Sequence, residues 1–359
     1  MVERISNLLV IQRRMQNDKK QLVTMEDVAQ AAGVSRMTVS RALRNEGPVS
    51  EKTRKRILDV VDKMHYVPDQ MAGSLSTKRS GFVATLVPSI NNVHYGKMIQ
   101  SLTDTLETTG LQILLGHTDY SVQREESLVE SLLKRRPEAI ALPYDGHSER
   151  TVTLLKNAQI PVVQLWETPP NPIGHTIGFS NQQVACSMTE ELIALGYKNI
   201  TFLCETNDEW TRGSARRAGF KQAMENAGLS AHRMIRFGTP PMSIKNGYFV
   251  GKNLQQYYDD IDCVFCVSDA PAYGVISGLK AQGINVPVDI GVAGFGDFEV
   301  SRYSNPTIST VKFDAFEVGR LAGDLITSLL DPDQAPSKTP KRYEIDVTNS
   351  MRESTRTRS

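Results

Sequence analysis

VTMEDVAQAAGVSRMTVSRAL, residues 23–43, reads as two short helices joined by a tight glycine turn. Thr24 is placed to cap the first helix, and Asp27, three residues on, completes a box-like start. Val28, Ala29 and Ala32 recur at helical spacing, and Gly33 supplies the bend that a residue with a Cβ resists. Ser35 is placed to cap a second helix whose Val39, Ala42 and Leu43 face inward. Arg36, Met37, Thr38, Ser40 and Arg41 are left on its outer side. Helices crossed in this way form a helix-turn-helix, whose second helix offers its first residues to base edges in the major groove of DNA. The alternative is an ordinary helical hairpin inside a core.

Working outward, Asn45-Glu46-Gly47-Pro48 is a turn or loop. Ser50 starts a third helix expected to reach about His65, with Ile57, Leu58, Val61 and Met64 at core spacing. Tyr66-Val67-Pro68 stops it. Between Asp69 and Ser80 a polar, basic segment carries Met71, Ala72 and Leu75 at i, i+1 and i+4. Such a helix is too short to be stable alone, so the segment is either a linker or a hinge that orders only against DNA.

The net charge of +1 hides an asymmetry. Residues 1–80 hold 15 Lys and Arg against 9 Asp and Glu, whereas the remainder holds 26 against 31. A basic head that meets nucleic acid and an acidic body that does not is the arrangement this suggests. At 359 residues, 40% of them hydrophobic and 23% charged, the chain has room for two or three globular units. No apolar run approaches the ~20 residues that span a bilayer. The N-terminal MVERISNLLVIQRRMQNDKK lacks a long apolar core and a small-residue cleavage pattern, so the expected location is cytoplasmic. Of the four cysteines, Cys263 and Cys266 form a C-x-x-C in IDCVFCV. In a strand, positions three apart face opposite sides, and no second C-x-x-C or histidine pair completes a metal site. All four are read as structural thiols, with no metal and no cofactor expected.

From Gly81 onward strands and helices alternate. FVATLVPS, 111–116, 139–143 and 161–166 read as strands separated by helices over 95–109, 121–134 and 151–158. After a break at Thr168-Pro169-Pro170-Asn171-Pro172, helices are expected at 182–195, 212–227, 245–257 and 271–282. Strands are expected at 200–204, 234–237, 262–267 and 291–295. This alternation means βαβ units, and two doubly wound parallel sheets in tandem imply two α/β lobes with a cleft at the strand C-ends.

In this order, the parts resemble the lactose/galactose repressor family. The marks are VTMEDVAQAAGVSRMTVSRAL, VSEKTRKRI, YVPDQMAGSL, ELIALGY, RRAGF, VFCVSD and GVAGFGD, running from about Val23 to beyond residue 340. A basic leader over 1–22, expected to be flexible, falls outside the resemblance, which implies a DNA-binding domain over 23–67 and a hinge over 68–80; a tail is expected over 351–359. Residues 81–350 then form a two-lobed effector-binding and dimerisation domain of periplasmic-binding-protein type. It also implies that Arg36, Met37 and Arg41 read bases, and chemistry agrees: arginine donates two hydrogen bonds to guanine, and methionine offers apolar contact to a thymine methyl. Thr24, Ser35, Thr38 and Ser40 are assigned to phosphates. Leu75 matches the hinge leucine that wedges between base steps, and Ala72 the small residue that lets paired hinge helices approach. Asp69 departs from the asparagine usual there. One head reads only a few base pairs, so a homodimer on a palindromic operator is expected, with half-sites about one helical turn apart.

For the effector, Arg216 in GSARRAGF matches the family's ligand-reaching arginine, and Arg212 lies one turn earlier. Tyr95 matches a pocket aromatic, Trp166 ends the PVVQLW strand, and Asp269 closes VFCVSD. Where the family often has glycine-aromatic-aspartate, this chain has Gly294-Phe295-Gly296, with Asp297 one place later. A cationic cleft without that carboxylate suits an anionic ligand, because arginine pairs with carboxylates strongly and directionally. A sugar acid is expected, with gluconate first, since MTVSR-x-LRN, PVVQLWE, TIGFSN and VFC-x-x-D most resemble the gluconate-operon branch. A neutral sugar is the alternative. Catalysis is not expected: G-x-G-x-x-G after the first strand, the phosphate-loop pattern and the G-x-S-x-G elbow are all missing. A periplasmic sugar-binding protein would share the body but not the basic head.

Overall fold

The computed structural model describes residues 23–68, 79–144, 146–206, 212–333 and 339–358. It divides into two compact units, one ending at Arg79 and the other beginning at Ser80.

The first unit holds three helices, α1 (Met25–Ala32), α2 (Arg36–Arg44) and α3 (Glu51–Met64). Thr24 caps α1 in a reciprocal box with Asp27, and Ser35 and Ser50 cap the other two through the backbone N–H groups of Thr38 and Thr53. Gly33 turns the chain at φ +63, the left-handed region that glycine enters without steric cost. Val28, Ala29, Ala32, Val39, Ala42, Ile57 and Tyr66 form the core. Arg54 on α3 donates to the Ala42 carbonyl at 3.3 Å and to the Asn45 side chain, which ties down the C-terminal end of α2. One expectation needs correction: Leu58 is 43% exposed, because the buried stripe of α3 runs through Ile57, Val60, Val61 and Met64.

The second unit opens with β1 (Phe82–Val87), α4 (Val93–Glu107), β2 (Gln112–His117), α5 (Val122–Leu133), β3 (Ala139–Pro143), α6 (Glu149–Asn157), β4 (Val162–Leu165) and β5 (His175–Gly178). It continues through α7 (Asn181–Ala194), β6 (Ile200–Cys204), α8 (Arg212–Asn226), β7 (Met234–Arg236), α9 (Ile244–Lys252), β8 (Cys263–Cys266), α10 (Asp269–Lys280) and β9 (Gly291–Phe295). It closes with α11 (Glu299–Tyr303), β10 (Ser309–Phe313), α12 (Ala315–Leu330), β11 (Arg342–Glu344) and β12 (Val347–Ser350). Two six-stranded sheets result, in the orders β11-β5-β4-β3-β1-β2 and β12-β10-β9-β8-β6-β7. All neighbours are parallel except β12, which runs antiparallel to β10.

The chain passes between the lobes three times: from β5 to α7, from β10 to α12 and from β11 to β12. In the first lobe α12 lies against α4 so closely that a Cβ on Gly319 would stand 2.2 Å from the Met98 carbonyl oxygen. The four cysteines are buried and free, and burial raises the thiol pKa values of Cys263 and Cys266 well above their ordinary range. Strand β5 falls between the expected break at 168–172 and the helix expected from 182, where no element was assigned. The elements after β9, from α11 to β12, also lie outside the sequence-based assignment.

Candidate functional site

In the first unit, α2 turns its Val39 and Ala42 inward and leaves Arg36, Met37 and Arg41 exposed, Met37 to 63%. Arg36 pairs with Glu26 at 3.5 Å, but both side chains are about two-thirds exposed, so the contact is weak and the guanidinium free to leave it. The Ser35 hydroxyl accepts from the Thr38 N–H at 3.2 Å and lies 2.9 Å from the Thr38 hydroxyl. The Thr24 hydroxyl donates to Asp27 at 2.7 Å. Both thus serve as helix caps. Ser40 is half-buried. The hinge candidates Ala72 and Leu75, like the basic leader, lie outside the described residues.

In the second unit, a cleft of about 740 Å³, including its open mouth, lies between the lobes. The end of β4 brings Trp166, and the start of α4 brings His94 and Tyr95. From the second lobe, α8 brings Arg212 and Arg216. Four of the residues named from sequence therefore meet, although more than a hundred positions separate Tyr95 from the arginines. Arg212 donates to the Tyr95 hydroxyl across the cleft, with its guanidinium 5.5 Å from the ring centre. Arg216 donates to Asn181 Oδ1 at 2.9 Å and to the Val267 carbonyl at 2.7 Å, and lies 3.6 Å over the Phe295 ring. Burial and the neighbouring Arg212 push the Arg216 pKa down to about 10, which still leaves it charged near neutrality.

Sequence reasoning missed two residues. Asn181 is fully buried and joins three elements: it holds Arg216, and its amide donates to the Trp166 carbonyl at 2.9 Å and to Glu167 at 3.1 Å. Its signal lay in TIGFSN, quoted for resemblance but not for chemistry. His94 is 8% exposed, packed at 4.7 Å against both Phe298 and Phe313, and burial pushes its pKa down to about 4.

Three expectations are corrected. The cleft does carry a carboxylate, since Glu205 lines it. Asp269 is fully buried behind the lining: its oxygens accept from the Thr310 hydroxyl at 2.5 Å and the Phe298 N–H at 2.7 Å, and burial raises its pKa to about 6. Asp297 is bound to Arg302 and, at 2.5 Å, to Arg352. Gly296 and Phe298 on either side of it line the cleft, but Asp297 does not, and its carboxylate anchors the C-terminal segment through Arg352 instead.

A three-helix head with an exposed second helix, and a separate two-lobed α/β body enclosing a cleft, define a helix-turn-helix protein with a periplasmic-binding-type body. The family model for bacterial regulatory proteins of the lacI family matches residues 24–69, and that for the periplasmic binding protein-like domain matches 189–355. The HTH-type transcriptional regulator GntR of Escherichia coli K12 is 29% identical over 330 residues, 92% of this chain and 98% of that protein. The HTH-type transcriptional regulator IdnR of the same strain is 30% identical, covering 85% and 91%. A crystal structure of a LacI family transcriptional regulator from Silicibacter pomeroyi is 51% identical with a TM-score of 0.73, covering 76% of this chain and 98% of that one. The chain belongs to the LacI family: it is a DNA-binding transcriptional regulator, and its relatives are regulators, not enzymes.

Proposed function

We propose that this regulator controls, as a repressor, an operon for a sugar acid, with gluconate as its effector, and binds a palindromic operator as a homodimer. The observation that carries the effector reading is the pair of guanidiniums, Arg212 and Arg216, presented by one helix to one cleft. Among the described residues of the lining, Glu205 is the one carboxylate set against these two guanidiniums, and His94 adds no charge near neutrality. A carboxylate is the group that two such arginines bind with both strength and direction. On the DNA side Arg36, Met37 and Arg41 are the proposed base readers, and Thr24, Ser35, Thr38 and Ser40 the proposed phosphate contacts. The domain limits stay as drawn from sequence, with residues 68–80, including Ala72 and Leu75, as the hinge that couples the cleft to the head.

Titration calorimetry with gluconate, 2-ketogluconate, 6-phosphogluconate and glucose tests the effector, alongside gel shifts on the region upstream of the chain's own operon. Binding of a sugar acid with a change in operator affinity is expected; binding of glucose alone overturns the acid reading. A neutral sugar is the second reading, favoured by Glu205 and by the aromatic rings of the lining.

A further inference from the structure

Two side chains in the cleft wall carry polar atoms with no hydrogen-bond partner. Both ring nitrogens of His94 and the Nε1–H of Trp166 are buried and unpaired, in side chains 8% and 3% exposed. Both residues line the cleft, and their rings lie 6.5 Å apart. The Gly296 backbone passes beside the ring, close enough that a Cβ there would stand 3.0 Å from His94 Nε2, and it favours the charged ring without completing a well-formed hydrogen bond. Unpaired polar groups at this depth are costly, and a folded protein keeps few of them without a reason. The aromatic packing around them, from Phe298 and Phe313 on one side and Tyr95 on the other, is well formed. Both side chains belong to the cleft lining, so a molecule held in the cleft is the partner that could answer these groups.

The chemistry of the pair selects what fills it. An indole N–H only donates, while a neutral imidazole has one donor and one acceptor. With its pKa near 4, the His94 ring is neutral in ordinary conditions. A hydroxyl group, which both accepts and donates, answers all of these groups; a carboxylate has no proton to give and has two arginines to go to instead. His94 and Trp166 belong to the first lobe, and the arginines to α8 in the second.

We infer that His94 and Trp166 form a hydroxyl-recognition subsite on the first lobe, facing the arginine subsite on the second, so that the effector is a hydroxylated carboxylate held at both ends. This rests on the sugar-acid reading and adds to it the residues that select the hydroxyl. A ligand carrying both groups bridges the lobes, whereas a plain carboxylate engages only one.

The test is titration calorimetry on the full-length chain with gluconate and with gluconates each lacking one hydroxyl. For the wild type, one deoxy analogue is expected to bind roughly tenfold to a hundredfold more weakly than gluconate, the range for a buried hydrogen bond left unmade. His94→Phe should lose a similar factor for gluconate and lose little more for that analogue, which marks coupling between the two deletions. His94→Gln, which keeps a donor and an acceptor, should recover part of the affinity. Trp166→Phe supplies an independent variant should His94→Phe fail to fold. Gluconate affinity within twofold of wild type in folded variants, or an equal loss across every analogue, overturns the inference while leaving the sugar-acid reading intact. If the wild type binds glucose and no aldonate, the sugar-acid reading fails, and the same cycle with deoxyglucoses decides whether these residues read a hydroxyl. Binding of none of these compounds overturns both.

Discussion

Replacing His94 by phenylalanine should change how the ligand-free protein responds to acid. The folded ring has a pKa of about 4 against 6.5 for an ordinary histidine, and desolvation is the main cause. A depressed folded pKa means that the unfolded chain takes up the proton first. The stability tied to keeping the ring neutral is therefore present in full above pH 6.5 and is lost as pH falls through 4. With those two values, the loss at about pH 4.5 amounts to about 2–3 kcal/mol. Asp269 works in the opposite direction: its folded pKa is raised to about 6, so the folded state gains relative stability as that carboxyl is protonated. Wild-type stability alone will blur the two, and the prediction is a difference between proteins. Urea unfolding followed by circular dichroism, near pH 7 and near pH 4.5, should show His94→Phe gaining about 2–3 kcal/mol on the wild type between the two conditions. Phenylalanine is close to the imidazole in shape and sits among Phe298 and Phe313, so at neutral pH the variant should be no less stable. A gap between the two proteins that stays constant across pH refutes the assignment of a buried, neutral ring.

Other outcomes follow from the same contacts. Arg216→Met should weaken sugar-acid binding roughly a hundredfold, on the order of 3 kcal/mol for a charge-assisted contact, and Arg216→Lys should recover little because a lysine cannot keep the Asn181 and Val267 bonds and the Phe295 stack together. Calorimetry with gluconate checks both. Arg41→Ala should cost about 1–3 kcal/mol in specific operator binding, with a smaller effect on random-sequence DNA, as read by competition gel shifts. Ile57→Ala, in a core of seven buried hydrophobic residues among those described, should destabilise the head by about 2–5 kcal/mol. In scanning calorimetry the head transition should move while that of the body, a separate compact unit, stays in place.

How much could be read from the sequence depended on whether the signal was local. Thr24, Gly33, Ser35 and Ser50 announce helix ends through side chains acting within three or four residues, and the structure places the helix limits where they indicate. Buried strands such as Ala139–Pro143 and Gly291–Phe295 are continuous apolar runs between helices and were equally plain. Strand β5 was not, because HTIG is four residues long and follows a proline-rich break. The three-residue β11 takes its identity from pairing with β5, more than 160 positions earlier in the chain. On α3, Leu58 fits the helical period as well as Val60 does, and only the packing of α1 and α2 decides which of the two is covered. In the cleft, the family resemblance pointed to Arg216 and Tyr95, helical spacing to Arg212, and the end of a strand to Trp166. None of these signals could tell that Asp269 and Asp297 turn toward Thr310, Phe298, Arg302 and Arg352, because those partners come from other elements.

The three passages between the lobes comprise residues 179–180, 314 and 345–346, one or two residues each. Straps so short and side by side permit bending about a common line while opposing any slide of one half past the other. Phe179 lies within the first, and Phe313 immediately precedes the second, and both rings also form part of the cleft wall. A molecule resting on them would press on the axle itself rather than on the far edges of the jaw.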